Sequence, residues 1–165
     1  IEISSTPGIG STFVITLPFE KAEETDISSE PESERNSIQG IKILLAEDNE
    51  LNAEIAAVQL EEFGMNVERA VDGKNAVEIF RNHPEGTFDV ILMDIMMPVM
   101  DGIAATKAIR AMDRADAKTI PIIAMTANAF EEDAKRCLAA GMTAHLAKPF
   151  QIEDVEKTIV ECCGK

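Results

Sequence analysis

Tryptophan and tyrosine are absent from the 165 residues, and phenylalanine supplies all seven aromatic rings. An aromatic platform for stacking single-stranded nucleic acid is therefore not expected. Basic residues are also scarce: 15 Lys and Arg stand against 30 Asp and Glu, a formal charge of −15. Nucleic-acid recognition needs clustered cations on phosphates, so direct binding to DNA or RNA is excluded on charge. Cysteine is limited to Cys137, Cys162 and Cys163. An odd count without spaced pairs is a poor disulfide framework and favours a reducing compartment. No Cys/His set has zinc-ligand spacing. No uninterrupted apolar run approaches the ~20 residues that span a bilayer. The opening, Ile1-Glu2-Ile3-Ser4, has no basic n-region and no apolar h-region, so it does not read as a signal peptide. It also lacks a methionine, which points to a piece of a longer protein.

The apolar fraction of 45% is ample for a buried core. Composition divides the chain into three zones. Residues 1–19 are apolar and contain glycines, a pattern that fits a β-hairpin with a Gly/Ser loop. Residues 20–40 carry seven acids and two bases with almost no apolar side chains, and read as a flexible linker extended by self-repulsion. Residues 41–165 hold 22 acids and 13 bases, a net charge of −9, and show clear periodicity.

In this third zone short apolar runs occur at Ile41–Ala46, Val90–Met93, Ile120–Met125 and Ala144–Ala147, with a further strand candidate at Asn66–Ala70. Runs of four to eight residues, apolar on both faces, suit strands of a parallel sheet covered on both sides. Helical patterns lie between them. Leu51, Ile55, Val58 and Phe63 fall on one face, taken as inward, and Gly64 supplies a stop. Asp72 reads as the N-cap of a helix with Val77 and Phe80 inward. Asp101-Gly102 opens a helix containing Ile103 and Ile109. Phe130, Ala134, Cys137 and Leu138 form another stripe, ended by Gly141, and Ile152, Val155 and Ile159 form the last. Five strands alternating with five helices imply an α/β fold: a parallel sheet with helices on both faces and right-handed crossovers.

Ligands of such sheets bind beyond the carboxyl ends of the strands. Glu47-Asp48 follow the first strand, Asp94 the third, Thr126 and Ala127 the fourth, and Lys148-Pro149-Phe150 the fifth. Taken singly, Asp48 could cap a helix, Asp94 could make a turn, and Thr126 and Lys148 could be ordinary surface residues. Together they bring three carboxylates, a hydroxyl and an ammonium to one edge. Three close carboxylates resist joint ionisation without a cation. Hard oxygen ligands suit Mg²⁺, which would admit a phosphoryl group to an anionic pocket. A carboxylate can then serve as nucleophile and form an acyl phosphate, with Lys148 and Thr126 supplying charge and donors to the phosphoryl oxygens. Lys148 precedes Pro149, so a cis peptide bond is a candidate there.

The stretches ILLAEDNELN, DVILMDIMMPVMDG, PIIAMTAN and HLAKPF resemble the receiver (response-regulator) domain of two-component signalling proteins. The resemblance covers residues 41–163, and together these stretches are highly specific. It implies the flavodoxin-like receiver fold with strand order 2-1-3-4-5, the order of chemotaxis receivers. It also implies that Asp94 is the phosphoacceptor for a phosphohistidine. The Mg²⁺ ligands would be Asp48, Asp94 and the backbone carbonyl of Met96, with Glu47 acting through water. Thr126, Ala127 and Lys148 would contact the phosphoryl group. His145 stands at the switch position, where family members often carry Phe or Tyr. Met96 and Asn128 occupy positions that tune acyl-phosphate lifetime in the family.

Ser5-Thr6-Pro7-Gly8-Ile9-Gly10-Ser11-Thr12-Phe13 with Leu17-Pro18 looks like the end of a sensor histidine kinase ATP-binding domain. The expected layout is therefore that kinase remnant at 1–19, an acidic linker at 20–40 and a receiver at 41–165, as in a hybrid histidine kinase. The chain would take part in phosphotransfer but would not be an ATP-dependent kinase, since the ATP boxes and the phosphorylated histidine are absent. Its partners would be a phosphohistidine domain, a histidine phosphotransfer domain, or both. The expected location is the cytoplasm, whether or not a parent protein is membrane-anchored.

Three rivals fit less well. A haloacid-dehalogenase-type phosphatase needs a second Asp two residues after the nucleophile, where Met96 stands. A flavodoxin-like cofactor binder needs a Gly- and hydroxyl-rich phosphate loop, where Glu47-Asp48-Asn49-Glu50 would repel phosphate. A non-phosphorylated interaction module of the same fold would not require the complete set of chemical residues found here.

Overall fold

The computed structural model describes residues 1–8, 10–17, 38–126 and 131–163, with the side chains of 131–133 left aside. The chain forms two compact units, residues 1–30 and 31–165. In the first, β1 (Glu2–Thr6) pairs antiparallel with β2 (Gly10–Val14), with Ile3 opposite Phe13. This is the expected hairpin. Both strands are exposed throughout.

The second unit alternates strands and helices. In chain order these are β3 (Lys42–Ala46), α1 (Glu50–Glu62), β4 (Asn66–Ala70), α2 (Gly73–Asn82), β5 (Val90–Asp94), α3 (Gly102–Arg110), α4 (Ala115–Thr119), β6 (Ile122–Thr126), α5 (Glu131–Ala140), β7 (Ala144–Ala147) and α6 (Ile152–Cys163). The sheet is parallel and five-stranded, in the order β4-β3-β5-β6-β7. Numbered within the sheet this is 2-1-3-4-5, the flavodoxin-like receiver fold expected from the sequence.

Side chains alternate across a strand, so the continuous apolar runs feed two cores. Leu44, Ala46, Ile91, Met93, Ile122 and Ala124 pack on one face with Phe80 of α2, Ile109 of α3 and Cys137 of α5. Ile43, Leu45, Val90, Leu92, Ile123 and Met125 pack on the other with Leu60 of α1 and Val155 and Ile159 of α6. None of the three cysteines is in a disulfide. Among the described residues no helix is long and apolar enough to cross a membrane.

Several expectations need correction. The inward face of α1 is Ala53, Ala56, Ala57 and Leu60, whereas Leu51, Ile55 and Val58 are 65%, 50% and 48% exposed. Small alanines let the helix lie close against the sheet and turn the larger residues outward. Leu138 is likewise exposed. Phe130 lies outside the described residues. Ile38, read as linker, is fully buried in the core beside Ile41 and Leu60. The short helix α4 carries too few residues to show a helical period and went unforeseen. Strand β6 begins at Ile122, since Pro121 has no N–H for the ladder. The capping expectations hold at Asp72, whose side chain accepts from the Asn75 N–H at 2.7 Å, and at Gly64, which ends α1 with φ +83°.

Candidate functional site

The parallel arrangement delivers the carboxyl ends of β3, β5, β6 and β7 to one edge of the sheet. Glu47 continues β3, and its backbone N–H donates to the Ala70 carbonyl at 3.1 Å. Asp94 ends β5, and Thr126 ends β6. The Lys148 backbone N–H donates to the Thr126 carbonyl at 2.7 Å, which carries the lysine to the same edge. The Lys148–Pro149 peptide bond is cis.

Lys148 joins the two inner acids. Its ammonium donates to Asp94 Oδ2 at 2.6 Å and also to Glu47 Oε2. Glu47 and Asp94 are only 5% and 8% exposed. Asp48 is exposed, and one carboxylate oxygen from each of Glu47, Asp48 and Asp94 lies within 4.8 Å of the others. The Met96 N–H donates to Asp94 Oδ1 at 3.1 Å, a short-range bond of the kind an Asp makes in a turn. The two bland sequence readings are thus resolved differently. Asp94 does make a turn bond, but its other oxygen faces Lys148. Asp48 does not cap α1, because Asn49 does, accepting from the Asn52 N–H at 3.1 Å.

Burial pushes the Asp94 carboxyl above the usual carboxylate range. The Lys148 hydrogen bond and charge and the Met96 N–H oppose this, while the nearby Glu47 charge adds to it. Three carboxylates gather here around the single Lys148 ammonium that Glu47 and Asp94 share. The donor set of the pocket consists of carboxylate oxygens, which fits a hard divalent cation such as Mg²⁺ better than a soft one.

The backbone below Asp94 is tightly fitted. A Cβ on Gly102 would come within 2.1 Å of the Asp94 carbonyl oxygen, so only glycine lets α3 start this close to the end of β5. The Gly102 N–H donates to the Ile95 carbonyl at 3.0 Å. Met96 and Val99 project from the intervening loop and are largely exposed. Val99 has φ +65°.

His145 is exposed in the middle of β7, opposite Ala124 in the ladder, away from the carboxylates at the strand ends. Ala127 and Asn128 lie outside the described residues. Two features escaped the sequence reading. The Asn52 amide donates to Glu47 Oε1 at 3.2 Å. A groove of about 590 Å³ runs beside the site, with Asn52, Ile55, Gln59, Lys148, Pro149 and Phe150 among its walls. The only signal for Asn52 was its place three residues after the cap Asn49. The groove had none, because it depends on which way α1 is turned.

An open five-stranded parallel sheet in this order, with acids and a lysine gathered at the carboxyl edge, defines a flavodoxin-like α/β domain of the receiver type. Residues 43–160 match the family model described as the response regulator receiver domain, and the chain belongs to that family. Hybrid signal transduction histidine kinase K of Dictyostelium discoideum is 34% identical over 91% of this chain, which spans 13% of that protein. The autoinducer 2 sensor kinase/phosphatase LuxQ of Vibrio vulnificus is 36% identical over 97% of this chain, which spans 18% of it. The chain thus covers a small part of the curated relatives it matches. Among solved structures, the receiver domain of a sensor histidine kinase from Pseudomonas aeruginosa has a TM-score of 0.68 and 39% identity. That match covers 76% of this chain and 99% of the other, and the neighbour holds a magnesium ion in its active-site cleft. The co-crystal structure of the Saccharomyces cerevisiae phosphotransfer protein Ypd1 with the receiver domain of Ssk1 matches with a TM-score of 0.66 and 29% identity, over 77% of this chain and 91% of the other.

Proposed function

We propose that this receiver accepts a phosphoryl group on Asp94 from a phosphohistidine and passes it to a histidine phosphotransfer domain. The observation that carries the reading is the Lys148 ammonium shared between Asp94 and Glu47 at the carboxyl edge of the sheet, with Asp48 alongside. An Asp94 oxygen attacks phosphorus, the new O–P bond forms as the P–N bond breaks, and the imidazole keeps the electron pair and takes a proton. Asp48, Asp94 and the Met96 carbonyl would hold Mg²⁺, with Glu47 acting through water. When bound, Mg²⁺ supplies the charge that lets a phosphoryl group enter an acidic pocket. Lys148, Thr126 and the Ala127 segment take the phosphoryl oxygens, and that exchange reports phosphorylation toward the switch position, His145. The magnesium in the Pseudomonas neighbour and the all-oxygen donor set here support the cation.

The partner surface in this reading is the exposed stripe of Leu51, Ile55 and Val58 beside the groove that opens on Lys148. Exposed apolar residues grouped on one helix face are the usual mark of an interaction surface. The neighbour co-crystallised with Ypd1, a histidine phosphotransfer signalling protein, supports a histidine phosphotransfer partner. The remaining layout follows the sequence except at Ile38, which packs into the receiver core: residues 1–19 the end of a kinase ATP-binding domain, an acidic linker from residue 20 to residue 37, and the receiver from residue 38 to residue 165, working in the cytoplasm.

The test is incubation with acetyl phosphate, or with beryllofluoride, in the presence of Mg²⁺. Acetyl phosphate should add the mass of one phosphoryl group, and either reagent should shift amide signals around Asp94, with both effects absent in Asp94→Asn. No change in the wild type, or the same change in the variant, would overturn the reading.

A further inference from the structure

We infer that Asn52 is a positioning residue that holds Glu47 in place while Lys148 changes partners. The inference rests on the phosphoacceptor reading above.

Glu47 is almost fully buried, and each of its carboxylate oxygens meets a protein donor. Oε2 takes the Lys148 ammonium, and Oε1 takes the Asn52 amide at 3.2 Å. The two donors differ in what phosphorylation asks of them. Lys148 also holds Asp94, the atom group that would be modified, and it is needed on the arriving phosphoryl oxygens. Asn52 has no such second duty. It is therefore the donor that remains when Lys148 is drawn away. A buried carboxylate stripped of its donors would turn toward solvent, since an unsatisfied buried charge is costly.

The placement of Asn52 suits that task. It is the third residue of α1, and its own backbone N–H is already taken by the Asn49 cap at 3.1 Å. At this position a Glu or Gln commonly folds back to accept from the cap residue's N–H. Here a shorter donor side chain reaches past the cap to the end of β3. The helix behind it is pinned to the sheet by Ala53, Ala56, Ala57 and Leu60, so the amide is mounted on a rigid element. Its neutrality matters as well. A lysine or arginine would place a permanent charge where a metal cation is expected, and an aspartate would add a fourth carboxylate to the three already grouped. An amide donates without changing the charge of the pocket. Hydrogen-bond donors that orient metal-site carboxylates typically change metal affinity by one to two orders of magnitude when removed.

Titration with Mg²⁺ alone, followed by amide NMR of the wild type, Asn52→Leu, Glu47→Ala and the double variant, tests the inference. Asn52→Leu should weaken Mg²⁺ binding about tenfold. In the Glu47→Ala background the same change should have almost no effect, because the group it acts through is gone. A single variant that binds as the wild type does, or an equal loss in both backgrounds, would overturn the role. A second readout needs no metal: the side-chain NH₂ signals of Asn52 should move in cation-free Glu47→Ala. Unmoved signals would remove the Asn52–Glu47 bond and the inference with it. A wild type that ignores Mg²⁺ would instead strike at the phosphoacceptor reading, and the cation-free spectra keep the two failures apart.

Discussion

Lys148 and Asp94 lie 54 residues apart in the chain, yet the lysine ammonium donates to the aspartate carboxylate at 2.6 Å. The same ammonium reaches Glu47, 101 residues away. One cation therefore balances two acids that the sheet has taken out of water. Lys148→Ala should cost about 3 kcal/mol of stability in chelator, because it leaves two buried carboxylates facing each other. Added Mg²⁺ should narrow that gap by binding the folded state. Thermal unfolding with and without Mg²⁺ checks this, and a gap that stays the same or widens would contradict it.

The exposed stripe on α1 separates binding from stability. Leu51→Ser, Ile55→Ser and Val58→Ser should each leave unfolding free energy within about 0.5 kcal/mol of the wild type. Leu60→Ala, on the buried side of the same helix, should cost about 3 kcal/mol. The three serine variants should nonetheless weaken association with a histidine phosphotransfer protein. Urea unfolding and calorimetric binding read the two effects independently, and unimpaired binding in all three would remove the stripe from the interface.

Val99 carries strain beside the phosphoacceptor. Its φ is +65°, and the Met100 N–H donates to the Pro98 carbonyl at 2.6 Å across it, closing a three-residue turn. A β-branched side chain is poorly suited to that backbone, whereas asparagine tolerates it. Val99→Asn should raise stability by about 1 kcal/mol. Denaturant midpoints decide the matter, and a loss of stability would mean that the exposed valine makes a compensating contact.

Arg114 and Asp116 give a pH-dependent contribution far from the site. Asp116 accepts from Arg114 Nε at 3.0 Å and Nη2 at 2.8 Å and from the Gly86 N–H at 2.9 Å. The Arg114 hydrogen bond is the chief cause that holds its carboxyl below the usual range. Arg114 also donates to the Phe80 and His83 carbonyls near the end of α2 and lies 4.5 Å from the Phe80 ring centre. A depressed folded-state value means that this stabilisation is complete above the unfolded carboxylate value of about 3.9 and fades as pH falls through the lower folded value. Asp116→Asn should therefore cost about 1 kcal/mol at pH 7 and progressively less below about pH 4. Unfolding curves across that range test it; a pH-independent difference would assign the effect to packing.

The strands of the receiver and the acids and lysine at their ends could be read from the chain for one physical reason. A parallel strand buried on both faces must be apolar along its whole length, and the residue where that run stops is where polar chemistry begins. Val90–Met93 followed by Asp94, and Ala144–Ala147 followed by Lys148, display that boundary directly. The excess of acid over base gained meaning in the same way, since Glu47, Asp48 and Asp94 are the acids that the strand ends gather at one edge.

Orientation was not legible in this manner. In α1 the larger apolar residues, Leu51, Ile55 and Val58, suggested the inward face, but close approach to the sheet favours Ala53, Ala56 and Ala57 there. Ile38 looked like linker because its neighbours are polar, and its burial depends on the core that lies in its path. Asn52 was anonymous until α1 and β3 were set side by side. Hydrophobic period records what a residue avoids, namely water. Which neighbour it meets instead is decided by how closely whole elements can pack, and that distance is a property of the assembled sheet and helices, not of any one segment.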